Sequence, residues 1–258
     1  MTRLALRLAF WLLLPVSALQ GLWLRRTAIR LPEATGARTG VSGSGEEFHL
    51  LALGDSIIAG VGTGSMDASL PVQFAHALAK TRQCSVHWHT QGANGADIAD
   101  LRTTLSRFHQ EQQADVILIS IGVNDVTGLS STRYWRLQVN QLVTELRHKW
   151  PRARVIFAGL PPMGQFPLPP QPLRFTLGQR AATLDAIAAG IISRKPGMLH
   201  IPTEINPLTQ EFCADGFHPS AESCANWAAV LAQRFEADNL GGALEGVLNQ
   251  PLADTGSR

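Results

Sequence analysis

The sequence predicts an α/β body, a three-layer α/β/α sandwich whose mostly parallel, five-stranded sheet is covered by helices on both faces. Three observations carry that expectation. From Phe48 to Phe235, short apolar runs alternate with segments of helical periodicity. The run Asp115–Ile121 (DVILISI) is apolar almost throughout, as a parallel strand buried on both faces requires. The composition is 45% hydrophobic and 16% charged, which excludes a disordered or acidic-tail protein and suits one sizeable core.

Phe48–Leu53 opens the body as a buried strand, a helix follows around Leu70–Lys80, and a weaker strand spans Ser85–His89. In Ala96–Gln110 the apolar residues Ile98, Leu101, Leu105 and Phe108 recur at helical spacing ahead of the Asp115–Ile121 strand. Trp135, Val139, Leu142 and Leu146 share one face of a long helix, Thr132–Trp150, which Pro151 ends. Val155–Gly159 is the fourth strand, and a proline-dense loop, Pro161–Arg174, leads to a helix near Thr176–Arg194. A short strand, Met198–Ile201, and a helix with Trp227, Ala228, Leu231 and Phe235 inward complete the pattern. The body is bounded at 48–236, with a loose tail at 237–258.

The N-terminus differs. Leu8–Leu24 (LAFWLLLPVSALQGLWL) is uncharged between Arg3 and Arg7 on one side and Arg25 and Arg26 on the other, so residues 1–26 read as a membrane-engaging segment. As a helix it spans about 25 Å. Three readings stand: an uncleaved anchor, a signal peptide cleaved after the small residues Val16 and Ala18, or a buried helix. Arginines on both flanks leave orientation open, while the export pathway implies a body facing the periplasm or exterior, or secreted after cleavage. Residues 27–47, rich in Gly, Ser and Thr, read as a flexible tether. The net charge of +2 comes from the arginines of this N-terminal region, and the rest is acidic on balance, which argues against nucleic acid as a partner. Cys213 and Cys224 either pair as a disulfide in an oxidising compartment or stay reduced with Cys84.

In sheets of this kind, ligands bind outside the carboxyl ends of the strands. Three segments following predicted strands carry suitable chemistry: Gly54-Asp55-Ser56, Gly122-Val123-Asn124-Asp125 and, beyond a longer connection, Asp215-Gly216-Phe217-His218. Ser56 follows its strand through a glycine and is the candidate nucleophile, needing a base to take its proton. His218 is that base, and Asp215, three residues earlier, can accept from its Nδ1 while Nε2 faces Ser56. The Ser56 N–H, a glycine N–H after the second strand and the Asn124 amide are candidate donors to an oxyanion.

Gly54-Asp55-Ser56-Ile57, Gly95, Gly122-Val123-Asn124-Asp125 and Asp215-Gly216-Phe217-His218 together resemble the SGNH, or GDSL-type, serine hydrolases, over nearly the whole body. The resemblance implies a flavodoxin-like fold, hydrolysis of esters or thioesters through an acyl-enzyme, and no cofactor. It maps the family's four letters onto Ser56, Gly95, Asn124 and His218, with Asp215 completing the triad. It selects Gly95 over Gly92 as the oxyanion glycine of the block Gln91–Asp97. Ile57 replaces the leucine of the GDSL block. A G-x-S-x-G elbow, the mark of the ordinary α/β-hydrolase fold, is absent.

The expected activity is hydrolysis of small-molecule carboxylic esters, short-acyl or lipid-like. Acyl transfer to, or deacetylation of, O-acylated saccharides is the alternative, and a non-catalytic lipid- or glycan-binding module the remote one. Met163, Phe166 and Leu168 in the proline-dense loop are candidates for a substrate pocket. Asp55 and Asp125 read as structural carboxylates accepting from backbone N–H groups of their own turns. His87 and His89 share a strand face without further residues at ligand spacing, so no metal is expected. The tryptophans Trp88, Trp135, Trp150 and Trp227 read as core.

Overall fold

The computed structural model describes residues 3–107, 113–204 and 212–248. Six strands form one sheet: β1 (Thr39–Gly43), β2 (Glu47–Gly54), β3 (Ser85–Gly92), β4 (Val116–Ser120), β5 (Arg154–Ala158) and β6 (Met198–Ile201). Their order is β1-β3-β2-β4-β5-β6, parallel except for the antiparallel edge pair β1–β3. Seven α-helices are described: α1 (Arg3–Thr27), α2 (Leu70–Arg82), α3 (Ile98–Ser106), α4 (Val123–Thr127), α5 (Thr132–Lys149), α6 (Leu173–Ile192) and α7 (Ala221–Leu248).

The central strands are apolar throughout because each face meets a different core. Leu51 and Leu53 of β2 and Ile117 and Ile119 of β4 pack with the inner faces of α3, α5 and α6. Leu50, Ala52, Val116 and Leu118 point the other way, against α2 and α7. Alternation along a strand thus serves two helical layers at once. An Asp97–Asp100 capping box starts α3, and Ser131 caps α5 by accepting from the Tyr134 N–H.

Several expectations need correction. The sheet has six strands because part of the expected tether, Thr39–Gly43, pairs with β3. Its Gly and Ser content hides a strand whose glycine is needed for packing, since a Cβ on Gly40 would come within 2.3 Å of the Trp88 ring. Residues 237–248, expected as tail, continue α7 through Gly241 and Gly242. The short helix α4 is additional, α3 ends at Ser106, and Phe108 lies outside the described residues. Leu8–Leu24 does form a helix, but α1 rests along α6 instead of standing apart from the body. Among the described residues no helix is long and apolar enough to cross a membrane.

Candidate active site

The ends of β2, β3 and β4 lie level, Gly54 being in register with Gly92 on one side and Ser120 on the other. The turns that follow these strands therefore share one edge of the sheet. Small residues hold them there: a Cβ on Gly54 would come within 2.0 Å of the Ser120 carbonyl oxygen, and one on Gly92 within 2.3 Å of the Ala59 nitrogen. Ser56 sits at the first of these turns, 7% exposed. Its carbonyl accepts from the Val61 N–H at 2.9 Å, and the Asp55 carbonyl accepts from the Ala59 N–H at 3.0 Å, so the chain coils directly after the serine.

Asp215 and His218 reach this edge from a loop closed by the Phe212–Pro219 bridge and by the Cys213 N–H donating to the His218 carbonyl at 2.8 Å. Gly216, at φ +63°, makes the turn between them. His218 Nε2 lies 3.1 Å from Ser56 Oγ, and His218 Nδ1 lies 2.6 Å from Asp215 Oδ2. The other Asp215 oxygen accepts from the Phe217 and His218 N–H groups at 3.0 Å each. Both oxygens of this buried carboxylate thus have partners, and the ring can neither swing away nor exchange nitrogens without breaking them.

Across the edge, the Asn124 amide donates to the Ala96 carbonyl at 2.8 Å, which joins the α4 turn to the turn after β3. Gly122 precedes it at φ +123°, packed so closely on Trp135 that a Cβ would come within 2.8 Å of the indole. Gly95 has φ +83° with nothing within 4 Å of a built Cβ, whereas Gly92 is hemmed in by the backbone of Asp55, Ile58 and Ala59. Gly95 is therefore required by its backbone conformation and leaves open space beside it.

Two further carboxyls, Asp55 next to the serine and Asp125 on α4, are buried. Asp55 is fully buried and accepts from the Ile57 N–H at 3.0 Å. Its Oδ2 has no hydrogen-bond partner among the described residues. Burial, reinforced by the charge of Asp125, pushes its carboxyl up to about 7 against the pull of its backbone hydrogen bonds. Asp125 accepts from the Ile98 N–H at 3.0 Å and from the Ser130 hydroxyl at 2.9 Å, and burial pushes it up to about 6 despite those bonds. The three cysteines are free thiols, with Cys213 donating to the Pro219 carbonyl at 3.2 Å.

Ser56 and His218 open onto a cavity of about 360 Å³ walled by Pro161, Phe166, Phe212, Phe217, Trp227 and Val230, among others. Of the three loop residues expected to line a pocket, only Phe166 does so. Met163 is wholly buried in the core, because the short 3-10 turn Met163–Gln165 packs it inward on α6. Leu168 is spent on the Asp215 loop, its N–H donating to the Gly216 carbonyl at 3.1 Å. The wall contributed by α7 goes beyond the sequence reading, which gave Trp227 to the core. Ser223, Asn226, Trp227 and Val230 form a stripe beside the core stripe of Cys224, Ala228 and Leu231. With Ser223 and Asn226 polar, the cavity stripe has no apolar periodicity of its own to mark it in the sequence.

The family model for the GDSL-like lipase/acylhydrolases matches residues 52–225. The chain is 31% identical over 219 residues to a GDSL-like esterase of Mycobacterium tuberculosis strain H37Rv, covering 82% of this chain and 68% of that one. Among solved structures it resembles the lipase Lip_vut3 from a goat rumen metagenome, with a TM-score of 0.59 at 17% identity over 74% of this chain and 96% of that one. It also resembles Axe2, an acetylxylan esterase of Geobacillus stearothermophilus, with a TM-score of 0.51 at 20% identity over 75% and 93% of the two chains. These two likenesses are of fold.

Proposed function

The chain belongs to the GDSL-like lipase/acylhydrolase family, an ester-hydrolysing enzyme on that footing, and we propose that it cleaves lipid-like carboxylic esters through Ser56, His218 and Asp215. The observation that carries this is the unbroken chain of contacts from Asp215 Oδ2 through the His218 ring to Ser56 Oγ, at the mouth of a mostly apolar cavity. The Ser56 hydroxyl gives its proton to His218 Nε2 as Oγ attacks the ester carbonyl. The imidazolium that forms is stabilised by Asp215. The oxyanion is held by the Ser56 and Gly95 N–H groups and by the Asn124 amide, whose second hydrogen is left over after its bond to Ala96. As the carbonyl re-forms, the ester C–O bond breaks and His218 returns its proton to the departing alcohol. Water then loses a proton to His218, attacks the acyl-enzyme and releases the free acid, and Ser56 Oγ recovers the proton. No step calls on a cofactor.

The cavity supports an acyl group longer than acetyl, since Phe166, Phe212, Phe217, Trp227 and Val230 offer it apolar surface and few polar partners. Residues 8–24 are read as membrane-engaging, with the body on the exported side. The test is hydrolysis of p-nitrophenyl esters from acetate to palmitate by the full chain in mild detergent, beside Ser56→Ala. Activity that favours medium or long acyl chains and falls by about 10⁴-fold or more in the variant is expected. A folded parent inert toward every ester, yet transferring acyl groups to or removing them from saccharides, would establish the saccharide reading instead.

A further inference from the structure

Fifteen residues of α1, from Phe10 to Leu24, divide into two faces. The inner one meets the body: Ser17 is 2% exposed, and Leu24 packs against the α5–α6 core. The Gln20 side chain both donates to the Gln171 carbonyl at 2.8 Å and accepts from the Leu173 N–H at 3.0 Å. The outer face holds Trp11, Leu12, Val16, Leu19, Leu22 and Trp23, each between 50% and 78% exposed. No charged residue interrupts it between positions 11 and 23. So wide an exposed apolar face is the mark of an interaction surface. It ends at Arg25, Arg26 and Arg30, whose charge suits anionic headgroups, and it carries a tryptophan near each end, where an amphipathic ring at a bilayer surface is favoured.

We infer that α1 is an in-plane membrane helix, docked along α6 and resting its outer face on an anionic lipid surface, neither crossing the bilayer nor serving as a detached anchor. The inference rests on the membrane-engaging reading of residues 8–24 and fixes its geometry. A helix held lengthwise by α6 cannot run through the bilayer unless the body follows it. The helix is polar or half-buried where it meets protein and apolar where it does not, the division an interfacial helix needs. It is also tied, through Gln20, to the end of the loop that supplies Pro161 and Phe166 to the cavity wall. The lipid surface and the cavity are thereby joined by one stretch of chain.

Flotation of the full chain with vesicles of phosphatidylcholine, alone or with about 30% phosphatidylglycerol, reads the binding. Strong co-flotation with the anionic vesicles is expected. It should fall about 10-fold or more in Leu12→Ser/Leu19→Ser/Trp23→Ser, and the anionic preference should shrink in Arg26→Gln/Arg30→Gln. Spin labels at Leu12→Cys, Leu19→Cys and Leu22→Cys, in a Cys213→Ser background, read the depth. An in-plane helix gives three similar shallow depths, whereas a spanning one separates the first and last by about 15 Å. A graded depth overturns the inference, as does release of residues 1–26 from the membrane-bound protein. Lack of vesicle binding with α1-dependent dimers overturns it in favour of a second copy. The triple variant should keep its rate on a soluble short-chain ester while losing about 10-fold on an ester presented in vesicles. Binding and depth are read without turnover, so an inert enzyme would refute the proposed chemistry and leave this inference standing.

Discussion

Asp215 and Asp55 are both carboxyls sealed beside the same serine, at 5% and 0% exposure, yet their surroundings differ in kind. Asp215 meets three donors, two backbone N–H groups and the His218 ring, so each oxygen is occupied. Asp55 meets only backbone N–H groups of its own turn, its Oδ2 has no hydrogen-bond partner among the described residues, and burial drives it toward its neutral form. Donors, and not depth, decide what a buried carboxyl is for. The loop Asp215–His218 is arranged to hold an imidazole in one tautomer, and the interior under Ser56 to brace a turn.

The largest expected effect tests that division. Asp215→Asn should lower kcat by about 10³- to 10⁴-fold with little loss of stability, because an amide at this position favours the wrong tautomer of His218. Asp55→Asn, a change of the same size one residue from Ser56, should leave kcat within about 10-fold of the parent. Steady-state kinetics of the two variants on one ester checks both. Equal losses would mean that Asp55 takes part in proton transfer and that the division is drawn in the wrong place.

A smaller effect sharpens it within a single helix turn. Asn124 and Asp125 are neighbours on α4, one bonded to Ala96 at the site's edge, the other buried on Ile98 and Ser130. Asn124→Ala should lower kcat by about 10²- to 10³-fold with KM nearly unchanged, as expected of a donor used mainly in the transition state. Asp125→Asn should act instead on thermal stability, lowering Tm while the folded fraction keeps most of its kcat. An Asn124→Ala loss confined to KM would remove the amide from the oxyanion site.

What the sequence reveals follows the same line between local and distant causes. Ser56 and Asn124 are legible because each lies in a short block just after an apolar run, at the level ends of β2 and β4, and Asp215 and His218 because a carboxylate and an imidazole stand three residues apart in one short block. The sheet and its helical layers are legible from DVILISI and the periodicity of α5. Strand β1 is not, since Gly40 makes room for the Trp88 ring and Gly43 for the Cys84 carbonyl, both neighbours remote in sequence. Nor is the cavity wall. On α7, Trp227 belongs to both a core stripe and a cavity stripe one step round the helix, and hydrophobicity alone cannot divide them. The proline-dense loop misleads for a related reason. Its three apolar residues look alike in sequence, and only the contacts of Met163 with α6 and of Leu168 with the Asp215 loop separate them from Phe166.

The finest prediction concerns pH and stability, where the buried carboxyls of Asp55 and Asp125 leave a signature. Asp55 titrates near 7 in the fold, against about 3.9 for a free aspartate, so the folded protein holds a proton that the unfolded chain releases. Between about pH 4 and pH 7 the folded state therefore binds more protons, and its stability falls as pH rises through that window. Below the window both states are protonated and nothing is lost, and above pH 7 the loss is constant. Asp125 adds the same trend, ending near 6, and keeps it when Asp55 is changed. Denaturant unfolding at pH 5, 6, 7 and 8 should show Asp55→Asn gaining on the parent by about 1–3 kcal/mol across the series. Because the Asn amide still accepts from the Ile57 N–H but cannot ionise, the gain isolates the cost of charging a carboxyl whose second oxygen has nothing to bond. A difference that stays flat with pH would place a donor or water on Asp55 Oδ2 and make the turn under Ser56 as well provided for as the loop that holds His218.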